Sequence, residues 1–352
     1  MNIKIKGIGN YIPEITVKNT DFNKHVFLNE DGSDFDYPND VVISKFKFIT
    51  GIGERRYAAP ELNSSDLGFF AAQRAIENAQ IDPETIDYII FAHNFGDVKP
   101  GTIQTDMLPT LATRVKHKLQ IKNPNCVAFD LIFGCPGWIQ GILQASAFIK
   151  SGMAKRCLVI GSETLSRVVD VHDRDSMIYS DGAGAAIIEG SDDHTGLLSY
   201  ENATYANEEA NFLYFGNSFN KSLDKDVKYI KMHGRKIYEF ALNNVPLAMK
   251  KCLDKSGLKI TDIKKVLIHQ ANEKMDEAIV SRFYKLYDEK MPVGIMPMTI
   301  NKLGNSSVAT IPTLFDMLIN GKIENQKIHK GDVLIFASVG AGMNVNAFVY
   351  RY

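Results

Sequence analysis

The chain has 352 residues, 45% hydrophobic, 23% charged and 10% aromatic. These are ordinary globular proportions, which exclude disorder, collagen-like repeats and coiled coil; the length suits two domains or two fused halves. Forty basic side chains against forty-one acidic ones leave a formal charge of −1, so no overall field draws in nucleic acid. The four cysteines, at 126, 135, 157 and 252, are too scattered for a disulfide framework or a zinc knuckle. The N-terminus alternates like a strand and has no signal-peptide core, and no window approaches the roughly 18 apolar residues of a membrane span. A soluble cytosolic enzyme is expected.

In chain order, 2–8 reads as a strand, and 29–40 (NEDGSDFDYPND) as a polar surface excursion. Residues 66–80 place apolar side chains at helical spacing, and 86–94 is a buried strand. A helix is predicted at about 107–119, a strand over 126–133, a helix over 136–150 and a strand over 157–163. The 181–191 segment, DGAGAAIIEGS, reads as a glycine-rich turn that runs into a strand. Alternation of this kind predicts a parallel or mixed sheet covered on both faces.

The second half repeats the first. Residues 76–91 resemble 253–268, each a helix end, a polar turn and a buried strand. Residues 134–161 resemble 304–337, each a Gly followed by a polar or reactive residue, an amphipathic helix and a buried strand. An internal duplication is the simplest account, with the halves at 1–195 and 196–352.

Cys135 lies in FDLIFGCPGW, between an apolar strand and an amphipathic helix. This is a nucleophile-elbow setting, in which the helix dipole is expected to stabilise a thiolate. Cys126, Cys157 and Cys252 read as inert buried thiols. His269 closes the strand VLIH, where α/β folds place ligand contacts, though a satisfied core histidine fits equally. Asn305 holds the repeat position equivalent to Cys135, where its amide can donate a hydrogen bond or cap a helix. Among the other histidines only His93, at a strand end, and His233, beside Gly234, stand where they could serve a site.

Taken with TGIGERRYAAP (50–60), DRDSMIYSDGAGAAII (173–188), HQAN (269–272), GNSSVATIP (304–312) and VGAGMNVNAFVYRY (339–352), these motifs resemble the β-ketoacyl-ACP synthase III family. The resemblance implies a thiolase-like five-layer αβαβα fold built from two duplicated halves, usually a homodimer. It implies Cys135 as the acyl-accepting nucleophile and His269 with Asn305 as the pair that binds a malonyl thioester. The backbone N–H groups of Cys135 and Ala341 match the family's oxyanion hole. Arg174 matches a nucleotide contact, Leu108 a residue reaching the neighbouring subunit's acyl pocket, and Lys274 a carrier-docking cation. The implied substrates are CoA or ACP phosphopantetheine thioesters, the implied partner is acyl carrier protein, and no metal or other cofactor is implied.

The departures are Lys45 and Ile49, where an adenine clamp of Trp and Arg is common, and a lengthened 19–51 segment. They tilt the primer away from acetyl-CoA. The rival readings are an acyltransferase that does not decarboxylate and a non-catalytic partner in a heterodimer.

Overall fold

The computed structural model describes residues 2–352. Its first sheet has the strand order Asn2–Tyr11, Asp181–Ser191, Arg156–Thr164, Tyr88–His93, Val127–Ile132. Asp181–Ser191 alone runs against the other four. The second sheet has the order Gly196–Thr204, Asn344–Arg351, Val333–Gly340, Ile263–Ile268, and Asn344–Arg351 alone runs against the other three. The two orders correspond strand for strand, except that the first sheet carries one more parallel strand at its edge, Val127–Ile132.

Helices fill the space between and outside the sheets. Gly137–Lys150 and Thr310–Ile319 share one core, in which Ile142 and Ile149 of the former and Leu314 and Phe315 of the latter meet both sheets. Ser64–Ala79 and Leu111–Lys118 cover the outer face of the first sheet. Gly234–Ser256 and Glu273–Lys285 cover that of the second. The result is a thiolase-like αβαβα stack of five layers.

Local chemistry explains the element boundaries. Asn63 caps the Ser64–Ala79 helix, and its own N–H is taken by Asp66 Oδ2 at 2.8 Å, a capping box. Alanines at 71, 75 and 79 make that helix thin on its inner face. The Asn2–Tyr11 strand can therefore lie directly against it, and a Cβ at Gly7 would come within 2.6 Å of Ala75 O. The Arg156–Thr164 strand is buried on both faces, as a central strand of a covered sheet must be.

Two predicted elements differ. The helix expected from about 107 begins at Leu111, because Thr110 accepts from Thr113 N and fixes the cap there. Residues 181–191 are strand throughout, without a leading turn. The glycines are there for close approach: a Cβ at Gly184 would meet Thr313 N at 3.1 Å, so the middle-layer helix can press on the sheet.

Phe336 and Phe348 stack at 4.3 Å in the middle layer, both fully buried. Phe336→Ala is expected to lower the unfolding free energy by about 3–5 kcal/mol in denaturant titration. Val293→Ala, at a fully exposed position, should change it by less than about 0.5 kcal/mol. Equal effects would mean that the middle layer is not the common core.

Candidate active site

Cys135 sits between the Val127–Ile132 strand and the Gly137–Lys150 helix, after a left-handed Gly134 (φ +69°). No other residue fits at 134: a Cβ would meet Ala341 N at 2.7 Å and Ala341 O at 2.8 Å. The turn 340–342 therefore lies directly on the cysteine turn. Asn344 fastens the two, its amide donating to Phe133 O (3.3 Å) and Ala341 O (2.8 Å).

His269 follows the Ile263–Ile268 strand, and its N–H donates to Ala337 O at 2.9 Å. The rest of HQAN holds the frame. Gln270 donates to Pro297 O (2.8 Å) and accepts from Thr299 N (2.9 Å), which ties down the loop leading to Asn305. Asn272 caps the Glu273–Lys285 helix by accepting from Met275 N at 3.1 Å. Asn305 Oδ1 accepts from Ser307 N at 2.8 Å, a side-chain turn and not a helix cap, since Ser306 holds the cap position of the short 307–309 helix, and the Asn305 amide N–H groups are left uncommitted.

Cys135, His269 and Asn305 line one cavity of about 1150 Å³, together with Gly340 and Ala341. Cys135 is half-buried and faces this space, whereas Cys126, Cys157 and Cys252 are buried away from it. Burial pushes the Cys135 thiol up to about 11, against a lowering hydrogen bond from Ser307 Oγ at 3.3 Å. The thiolate expected from the helix terminus is thus not the resting form, because desolvation outweighs the favourable contacts. Burial likewise lowers His269 to about 4, so the imidazole is neutral, and its Nδ1 makes no hydrogen bond.

Of the remaining predicted residues, Arg174 lines the cavity, its guanidinium 5.0 Å from the Phe35 ring. Leu108 is 90% exposed and does not line it. Lys274 is exposed outside it, with Nζ 3.2 Å from the Phe48 ring centroid. His233 is at the cavity wall, but His93 is structural. Its Nε2 lies 3.0 Å from Asp130, whose carboxylate accepts from Leu111 N and Ala112 N.

The 29–40 segment is the surface excursion that its polarity predicts, with no buried residue, but it also borders the cavity. Asn29, Glu30, Phe35 and Tyr37 form part of the cavity wall, and Phe35 packs on the Phe22–Phe46 cluster. Tyr37 lies under Lys45, ring to Nζ 3.7 Å. Sequence reasoning also misses Ser307, Asn94 and Glu163, which reach the Cys135 sulfur through one, two and three hydrogen bonds in line. Only the SerSer following Asn305 carries a signal for any of them.

Comparison with known proteins agrees with this geometry. Residues 129–206 match the family model of 3-oxoacyl-[acyl-carrier-protein (ACP)] synthase III, and residues 253–352 match its C-terminal counterpart. The β-ketoacyl-[acyl-carrier-protein] synthase III of Staphylococcus haemolyticus is 33% identical over 353 residues, covering 100% of this chain and 99% of that protein. The crystal structure of the Aquifex aeolicus 3-oxoacyl-[acyl-carrier-protein] synthase III superposes with a TM-score of 0.82 at 30% identity, over 99% of this chain and 100% of that one. The Thermus thermophilus synthase III superposes with a TM-score of 0.80 at 28% identity, over 99% and 98%. The chain belongs to the β-ketoacyl-[acyl-carrier-protein] synthase III family, acyl-transferring condensing enzymes of fatty-acid biosynthesis.

Proposed function

We propose that Cys135 takes the acyl group of a primer thioester and that His269 and Asn305 then hold a malonyl thioester while it loses CO2. The observation that carries this reading is the convergence of the three side chains, one from the first half and two from the second, on a single cavity. Sγ bonds to the primer carbonyl, and the primer's thiol leaves with the proton. The N–H groups of Cys135 and Ala341 face the charge on the tetrahedral oxygen. In the malonyl unit the bond to the carboxylate breaks, CO2 departs, and the electron pair becomes an enolate held by neutral donors. Its carbon attacks the acyl-cysteine, and Cys135 leaves as a thiolate that takes a proton from solvent to regenerate the thiol.

The division at 1–195 and 196–352 fits this reading, since it gives each half one of the two large sheets. A homodimer is supported by the free edge of Val127–Ile132, whose Val127 and Ile132 are 47% and 61% exposed, as is Leu108 at 90%. Pairing that edge would give Leu108 a partner's pocket to enter. Lys274 is assigned to carrier docking because it is an exposed cation on the helix that follows HQAN. No described helix is long and apolar enough to cross a membrane, and a cytosolic place of action goes with the proposed substrates.

Exposure to an acyl thioester is expected to add one acyl group, mapping to Cys135 by mass spectrometry. His269→Ala and Asn305→Ala should keep this loading and slow malonyl decarboxylation about a hundred- to a thousandfold. Variants that lose loading but keep decarboxylation would reverse the roles.

Because His269 is neutral down to about pH 4, decarboxylation should show no loss from imidazole protonation between pH 8 and 5. The same burial has a stability consequence. A histidine lowered on folding from 6.5 favours the unfolded chain once protons bind there, so stability is full above pH 6.5 and falls toward pH 4, by at most about 3 kcal/mol. His269→Gln should flatten that acid limb in denaturant titrations; an unchanged limb would mean that other groups cause it.

The primer is proposed to arrive on carrier protein rather than CoA. Phe35 and Tyr37 engage Arg174 and Lys45 through their ring faces, which occupies two cations that a nucleotide's phosphates would need. Specificity constants should favour acyl-ACP over the matching acyl-CoA, less so at high salt. The double variant Phe35→Ala/Tyr37→Ala should narrow the preference by several-fold, each exposed cation–π contact being worth about 0.5–1 kcal/mol. A clear preference for acetyl-CoA, insensitive to salt, would overturn this primer assignment.

A further inference from the structure

Glu163 lies near the end of the buried Arg156–Thr164 strand and is 1% exposed, yet among the described residues no basic side chain pairs with it. Its Oε1 accepts from Asn94 Nδ2. The same amide nitrogen lies 3.2 Å from Ser307 Oγ and donates to it. Ser307 Oγ in turn donates to Cys135 Sγ at 3.3 Å. Three side chains from three separate segments thus form one directed chain that ends on the sulfur. A chain of this kind fixes the rotor of the serine hydroxyl, because its oxygen is engaged by Asn94 and its hydrogen is left for the sulfur.

The backbone is also held in an uncommon state here. Ser307 has φ +53°, a left-handed conformation rare for serine, and its N–H is anchored on Asn305 Oδ1. That conformation turns the hydroxyl toward Cys135. A buried carboxyl with no cation beside it, linked through Asn94 to the donor on the sulfur, needs an explanation beyond packing.

We infer that Asn94 and Glu163 are positioning residues for the Cys135 thiol, acting through Ser307, whose hydroxyl they orient as a donor to Sγ as the thiolate forms. The inference rests on the proposed nucleophilic role of Cys135. The neighbours of Glu163 are consistent with an uncharged carboxyl. Burial and, to a smaller extent, Asp181 on the adjacent strand raise it to about 8, while Asn94 hydrogen bonds lower it. An ionised Glu163 would oppose the thiolate, since the two charges would be close.

The test reads the thiol itself, by the pH dependence of Cys135 alkylation with iodoacetamide, located by peptide mass mapping. It therefore succeeds or fails whether or not Cys135 carries the acyl group, and acyl loading is measured separately. Ser307→Ala and Asn94→Ala should each slow alkylation at pH 7 by about tenfold. The double variant should be no slower than Ser307→Ala, because Asn94 acts through the serine. Glu163→Gln keeps the acceptor but cannot ionise, so above pH 8 it should alkylate several-fold faster than wild type; Glu163→Ala should resemble Asn94→Ala. Additive losses in the double variant, or a Glu163→Gln variant that alkylates as slowly as Glu163→Ala, would overturn the inference.

Discussion

Two backbone turns, one from each half, touch with no side chain between them, and the site depends on that contact. A Cβ at Gly134 would strike Ala341 N, and one at Gly340 would come within 2.7 Å of Pro136 Cδ and 2.9 Å of Cys135 Cβ. With glycine at both places, the Cys135 elbow and the 340–342 turn become a single rigid piece, pinned further by Asn344. Their N–H groups cannot be re-aimed one at a time. Donors that are fixed before charge develops need no reorganisation when it does, and that preorganisation is the largest lever a site of this kind has. The five-layer stack supplies the force that holds the turns together, since the helices Gly137–Lys150 and Thr310–Ile319, which follow the Cys135 and Asn305 turns, share one buried core.

The side chains of the site itself rest uncharged. Burial raises the Cys135 thiol and lowers the His269 imidazole, so both rest neutral at ordinary pH. Tyr179, also lining the cavity, is raised well above its ordinary value. The cations that line the cavity, Lys45, Arg174, Arg235 and Lys236, are all exposed. The separation suits chemistry in which an oxyanion and an enolate exist only briefly. In a dry site neutral donors stabilise them strongly, and a resident ion would instead be stabilised in competition with them.

How much of this is legible in the sequence follows from how local each signal is. Cys135, His269 and Asn305 each stand at a strand end or turn flanked by small residues, a pattern contained within about ten positions. The paired stretches 76–91 and 253–268 carry the correspondence of the two halves. Asn94, Glu163 and Ser307 escape sequence reasoning, because their meaning lies in tertiary contact: Asn94 and Ser307 are 213 residues apart. The 29–40 segment reads as surface and is surface, but its five acidic side chains hide two aromatic ones, and only the fold shows Phe35 packing on the Phe22–Phe46 cluster. The glycines of 181–191 suggest a turn because sequence shows the missing side chain but not the Pro312 and Thr313 that need the space. An acidic thiol is expected at Cys135 because a helix terminus is visible in sequence and desolvation is not.

The asymmetry between the halves explains why the duplicated frame yields one site. Ahead of Cys135 the first half has a full strand, Val127–Ile132, paired along the sheet. Ahead of Asn305 the second half has only the short helix Ile300–Leu303 and a left-handed Gly304. With no strand of its own sheet to join, Asn305 pairs instead with the first half, donating from its N to Ile178 O (3.0 Å) and accepting from Ser180 N (2.8 Å). That cross-connection draws the second turn over the first, and it brings Ser307 to the Cys135 sulfur. Had the second half an edge strand of its own, Asn305 would be held at the rim of its own sheet as Cys135 is at the rim of the other. The absence of that one strand among the described residues therefore converts two equivalent turns into complementary parts, one that presents a thiol and one that surrounds it with donors.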